Sequence, residues 1–183
     1  DPYFRIRLKA LGSFGTAKLD NATIALIEKM AKDDASKLVR ADAISILGAQ
    51  KNAAYASQFE QFINDSSYSV AGAALLALND VDSKKAYALA NQLIKSTSKG
   101  KLSAAISSVI IANGDESAYE YIMGNFNKMP LSQAKFSALS SIVEFLAKVT
   151  DPAKFKAGVD AVVSFRNEIP AAARPQTDPV INN

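Results

Sequence analysis

The chain has no cysteine and no histidine, and only 8 glycines and 6 prolines in 183 residues. Without cysteine there is no disulfide, no thiolate metal site and no cysteine nucleophile, which fits an oxidising or a reducing compartment equally well. The lack of histidine excludes more, because histidine is the common transition-metal ligand and the common general base near neutral pH. A zinc site of the usual kind and a serine–histidine triad are therefore both excluded within these residues. Scarce glycine and proline in an alanine-rich chain favour helix throughout. Apolar stretches such as Val109-Ile110-Ile111-Ala112 are far too short to span a bilayer. No P-loop, dinucleotide-binding glycine pattern, HExxH, EF-hand loop or G-x-S-x-G occurs.

What is present is the composition of a globular protein, 49% hydrophobic and 21% charged. The net charge is +3, carried by lysines and by the arginines Arg5, Arg7, Arg40, Arg166 and Arg174. These are scattered, with Lys95 to Lys101 the densest basic stretch, and they do not form the stripe expected of a nucleic-acid binder. Nucleic acid is accordingly disfavoured as a partner, as is a membrane. The chain opens on Asp1-Pro2 without a signal-peptide pattern. Its first residues already look like part of a repeat, so an excised piece of a longer protein is expected. The compartment stays open between cytoplasm and periplasm or secretion.

An internal period organises the sequence. Asp34…Val39-Arg40-x-x-Ala43-Ile44…Leu47 repeats Asp1…Ile6-Arg7-x-x-Ala10-Leu11…Phe14 at a shift of 33 residues. Asp65…Val70-Ala71-x-x-Ala74-Leu75…Leu78 follows 31 residues later, and weaker copies centre on Ala105-Ile106 and Ala138-Leu139. In each strong copy the Asp is expected to cap a helix, while the Ala and its aliphatic neighbours face the partner helix. The Arg is expected to pair, along the ridge between repeats, with the capping Asp of a neighbour. Between these inner helices lie amphipathic outer helices, with stripes such as Ile24/Ile27/Ala31, Phe59/Phe62/Ile63, Ala86/Leu89/Ala90/Leu93 and Phe155/Val159/Val162/Val163. Gly48, Asn79-Asp80, Asn113-Gly114 and Met129-Pro130 read as stops; Asp82-Ser83, Asp115 and Asp151-Pro152 read as starts. The expected fold is all-α, a HEAT/armadillo-like right-handed α-α superhelix of about five helical hairpin units, with a first inner helix lacking its hairpin partner. The repeat domain is expected over 1–169. Pro170, Pro175 and Pro179 suggest an extended tail over 170–183.

No catalytic or metal-binding residues emerge. The acidic cluster Asp33, Asp34 and Asp42 sits at a helix start, where capping explains it better than coordination. Asp115, Glu116 and Glu120 read the same way. Candidate contacts for a substrate or partner are Arg40, Arg166, Tyr55 and Tyr87, each with a packing role as its competing explanation. Tyr68, Tyr119 and Tyr121 share the tyrosine reading.

The Asp34…Val39-Arg40-x-x-Ala43-Ile44 unit, its copy from Asp65 and the closing Phe165-Arg166-x-x-Ile169-Pro170 resemble the C-terminal HEAT-like domain of aminopeptidase-N-like zinc metallopeptidases. That resemblance implies a non-catalytic domain that covers the active-site cavity and shapes peptide access, with zinc held in the catalytic domain of the same polypeptide. The implied partners are that catalytic domain and, indirectly, its peptide substrate. The alternative from the repeat itself is a free-standing HEAT scaffold for protein–protein interaction.

Overall fold

The computed structural model describes residues 3–15, 17–95, 99–176 and 178–181. Among these the fold is an all-α helical repeat without strands. The helices are α1 (Phe4–Gly12), α2 (Asn21–Asp33), α3 (Lys37–Ala49), α4 (Ala56–Ile63), α5 (Tyr68–Val81), α6 (Ser83–Leu93), α7 (Gly100–Asn113), α8 (Tyr119–Lys128), α9 (Gln133–Leu146), α10 (Pro152–Glu168) and α11 (Asp178–Ile181), with short 3-10 turns before α4 and α8. The chain divides into two compact units, Asp1–Val109 and Ile110–Asn183, with the boundary inside α7.

In the first unit the inner helices α1, α3 and α5 lie side by side, α2 packs on α3, and α4 and α6 pack on α5. The expected packing positions form its core: Val39, Ala43, Ile44 and Leu47 are fully buried, as are Val70, Ala74, Leu75 and Leu78 one repeat later. Ile6 holds the same register in α1 yet is 59% exposed, consistent with an inner helix that lacks an outer partner among the described residues. Gly48 departs from its expected role as a stop. It lies inside α3, and a Cβ there would sit 2.6 Å from Ala77 Cβ and 2.8 Å from Ala77 Cα, so its hydrogen is what lets α3 and α5 approach. Gly72 does likewise, with a Cβ position 2.7 Å from the Lys101 carbonyl oxygen. Asn79 and Asp80 also fall within a helix, because α5 continues to Val81 and stops only before Asp82.

The outer helices begin as expected, with a carboxylate over orphan N–H groups. Asp82 accepts from Lys85 N, and Asp151 accepts from Ala153 N and Lys154 N with Pro152 in the first turn. Asp20 does the same for Thr23 N at the start of α2. The inner helices differ. Asp34 and Asp65 stand two residues before the N-caps Ser36 and Ser67, accepting their N–H groups at 2.8 and 2.7 Å, and neither serine caps with its own side chain. The Asp1 cap expected for the first copy lies outside the described residues, as does part of the basic stretch between Lys95 and Lys101.

In the second unit α8, α9 and α10 pack together around Phe126, Leu139, Ile142, Phe145, Val162 and Phe165. The stripe read on α10 is displaced by part of a turn. Gly158, Val162 and Phe165 face inward, whereas Phe155, Val159 and Val163 are 45%, 37% and 40% exposed. The tail also differs from expectation: residues 171–176 form 3-10 turns and 178–181 a short helix resting against α9. Proline is compatible with the first turn of a helix, where its missing N–H has no intrahelical role. The Arg166 guanidinium then pins the segment by a fork onto Asp178, at 2.6 and 3.0 Å.

Glu116 staples successive repeats in this unit. Its carboxylate accepts from Thr150 Oγ1 at 2.5 Å, Thr150 N at 2.7 Å and Asp151 N at 3.2 Å. The Thr150 bonds come first in holding this carboxyl down at about 2, against an ordinary 4.5. A depressed folded pKa contributes stability that is present above the unfolded value and lost as pH falls through the folded one. The stability gap between wild type and Glu116→Gln, measured by denaturant titration, is therefore expected to be widest above about pH 4.5 and to close towards about pH 2. A gap independent of pH would contradict this account.

Candidate functional site

The arginine–aspartate ladder expected from the repeat is present. Arg7 forks onto Asp34, with Nε 2.7 Å and Nη2 2.9 Å from its two carboxylate oxygens. The Arg7 fork, ahead of the Ser36 N–H, keeps the Asp34 carboxyl below its usual range. Arg40 forms the next rung, donating from Nη1 to the Asp34 carbonyl at 3.0 Å and from Nη2 to the Asp65 carboxylate at 3.4 Å. The ladder cannot extend from the third copy, which carries buried Ala71 at the arginine position. Within each unit, polar bonds between successive repeats span 25 to 36 residues, as at Arg40–Asp65 and Lys148–Ala112.

Of the four candidate contact residues, Arg40, Tyr55 and Tyr87 lie in the first unit and Arg166 in the second. Arg40 is a rung of the ladder at the N-terminal end of α3, while Arg166 lies in the second unit and is engaged by Asp178. Tyr55 donates its hydroxyl to the Glu28 carboxylate and sets its ring 5.9 Å from that of Phe59. Burial first, and then that carboxylate, push its phenol up to about 12, so it stays protonated across the physiological range. Tyr87 is half-buried on α6. Tyr119 is buried, with its hydroxyl donating to the Lys154 carbonyl at 2.7 Å, whereas Tyr68 is 44% exposed at the start of α5.

Among the described residues no group of three or more acidic side chains is placed to hold a metal ion. Asp34, the centre of the acidic cluster at 33–42, spends its oxygens on Arg7 and Ser36. No helix among these residues is long and apolar enough to cross a membrane.

Two open grooves mark the first unit. One, of about 380 Å³, is lined by Lys18, Asn21, Lys51, Asn52 and Tyr55 near the start of α2. The other, of about 440 Å³, lies at the N-terminal ends of α3 and α5 and is lined by Phe4, Leu38, Lys37 and Arg40 with Ser36, Ser66 and Ser67. Arg40 and Tyr55 thus line different grooves, and Tyr87 lines neither. Sequence reasoning missed the second groove's apolar members. Leu38 was detectable in principle, being an aliphatic residue at a register where the flanking copies carry Arg5 and Ser69. Its exposure, 45%, is visible only once the α3 face is placed.

The family of HEAT repeats matches residues 24–110, from α2 into α7. This stretch is a HEAT-like helical domain. No curated protein and no solved structure matches the chain significantly.

Proposed function

We propose that the chain is a non-catalytic helical-repeat scaffold that binds a protein partner, using the edge formed by the N-terminal ends of α1, α3 and α5. The carrying observation is the presence of Phe4, Leu38 and Tyr68 on those three ends at 38%, 45% and 44% exposure. Exposed apolar side chains scattered singly need no explanation, but one in the first turn of each of three successive inner helices does. HEAT repeats commonly mediate protein–protein interaction, which supports the reading. A photo-crosslinking side chain at Leu38 is expected to yield a defined protein adduct in cells, while one at the exposed Lys29 on α2 is not. Equal labelling from both positions, or none from Leu38, would refute it.

The narrower reading makes the partner a zinc aminopeptidase catalytic domain in the same polypeptide, with this domain shaping peptide access to its cavity. Its support is the resemblance of the Asp34…Arg40-x-x-Ala43-Ile44 unit and of Phe165-Arg166-x-x-Ile169-Pro170 to the helical domain of that enzyme family. An HExxH motif in the coding sequence upstream of Asp1 is the required finding, and a start codon just before Asp1 would end this version.

A further inference from the structure

The geometry points to the chemistry of what the groove between the α3 and α5 N-termini takes: we infer an acidic segment of a partner protein, with an aliphatic or aromatic side chain beside its carboxylates. This deepens the scaffold reading and rests on it.

Three properties of the groove select that occupant. The first is apolar. Phe4 and Leu38 line the groove and remain partly open to water, so an apolar side chain entering the 440 Å³ space would remove water from both. The second is unbalanced positive charge. Asp34 is already used by Arg7 and Ser36 N, and Asp65 by Arg40 and Ser67 N, while Asp33 is exposed at the end of α2 and is not part of the groove lining. Lys37 at the groove and Arg5, whose guanidinium lies 6.0 Å from the Phe4 ring centre, form no ion pair among the described residues. Lys37 and Arg5 are both exposed, so a carboxylate can approach them without displacing a bonded partner.

The third is backbone donors. An α-helix leaves its first N–H groups without intrahelical partners, and its positive end favours an anion. At the start of α2, α6 and α10 an aspartate side chain takes those donors. At α3 and α5 the N-cap serines make no such bond, and Asp34 and Asp65 reach only the serine N–H groups. Two uncapped helix ends therefore open beside one groove, with serine hydroxyls from Ser36, Ser66 and Ser67 between them. Apolar walls, free cations and unclaimed N–H donors together fit an acidic peptide better than a neutral or basic one. A nucleic acid would meet the charge but has no use for the Phe4–Leu38 wall, and the cations do not extend as a track.

The test is selection of a random peptide library on the immobilised full chain, followed by fluorescence anisotropy with the selected peptides. Variants are Lys37→Glu and Leu38→Ser, both at exposed positions, with Lys156→Glu on α10 as control and circular dichroism to confirm folding. The expected result is enrichment of peptides combining Asp or Glu with an apolar residue. Their affinity should fall at least about tenfold in each groove variant, weaken with salt and stay unchanged in the control. Selected peptides without acidic enrichment, or with binding indifferent to both groove variants, would overturn this inference while leaving the scaffold reading in place. An oligonucleotide that binds more tightly with the same dependence on Lys37 would also overturn it. Failure to select any peptide, together with no crosslink from Leu38, would remove both.

Discussion

Gly48→Ala is expected to lower the stability of the first unit by about 2–3 kcal/mol, the upper part of the range for forcing extra volume into a packed interior. In an unhindered helix the same change stabilises by about 0.5–1 kcal/mol, because alanine loses less backbone freedom on folding. The sign reverses at Gly48 because the added carbon would lie 2.6 Å from Ala77 Cβ and 2.8 Å from Ala77 Cα. A backbone atom cannot rotate away, so α3 and α5 must separate. Their separation opens gaps around Val39, Leu47, Ala74 and Leu78, all fully buried. Gly124 on α8, with nothing within 4 Å of its Cβ position, supplies the contrast. Gly124→Ala should raise stability while Gly48→Ala lowers it, as read by denaturant unfolding and by hydrogen exchange in α3 and α5. If both substitutions stabilise, the close approach of α3 to α5 is wrong.

That glycine also shows where the sequence was legible and where it was not. The repeat could be read because packing demands the same residue sizes at the same register: Val39 and Val70, Ala43 and Ala74, Leu47 and Leu78 recur and are all buried. The ladder was legible for a related reason, since Arg7 and Arg40 recur at one register and the acids Asp34 and Asp65 at another. Gly48 was misread because glycine has two roles, ending helices and permitting close contact, and only the position of Ala77 decides between them. The α10 stripe failed because Phe155, Val159 and Val163 have as regular a spacing as the buried set around Val162. Periodicity identifies an apolar face without identifying what lies opposite it. Glu116 was read as a local capping residue, but its carboxylate is used 34 residues away at Thr150. Of the candidate contacts, Arg40 was correctly placed on the ladder, yet the groove it lines depends on Phe4 and Leu38, which belong to no motif.

Asp34→Ala is expected to cost about 2 kcal/mol, and Asp65→Ala about half as much. Asp34 accepts three bonds, two from the Arg7 fork and one from Ser36 N, and its side chain is only 8% exposed. A hydrogen bond to a charged group is worth about 1.5–3 kcal/mol, and removing the acceptor breaks all three bonds. Water reaches Arg7, at 21% exposure, and recovers part of the loss, which keeps the figure below that of a fully buried pair. The Arg40–Asp65 rung is a single 3.4 Å contact between side chains 21% and 23% exposed, so it has less to lose. The Arg7→Ala, Asp34→Ala double-mutant cycle should return a favourable coupling energy, and the corresponding cycle for Arg40 and Asp65 a smaller one. The Asp34 carboxyl is depressed in the fold, so the cost of Asp34→Ala should be fully present above its ordinary value of 3.8 and shrink as pH falls through the lower, folded value. Equal costs for the two aspartates at neutral pH would mean that fork geometry is not what distinguishes the rungs. It would follow that the ladder acts only through its alternating charge, and the difference between a bidentate and a single contact would have to be abandoned as the reason the first rung is the stronger.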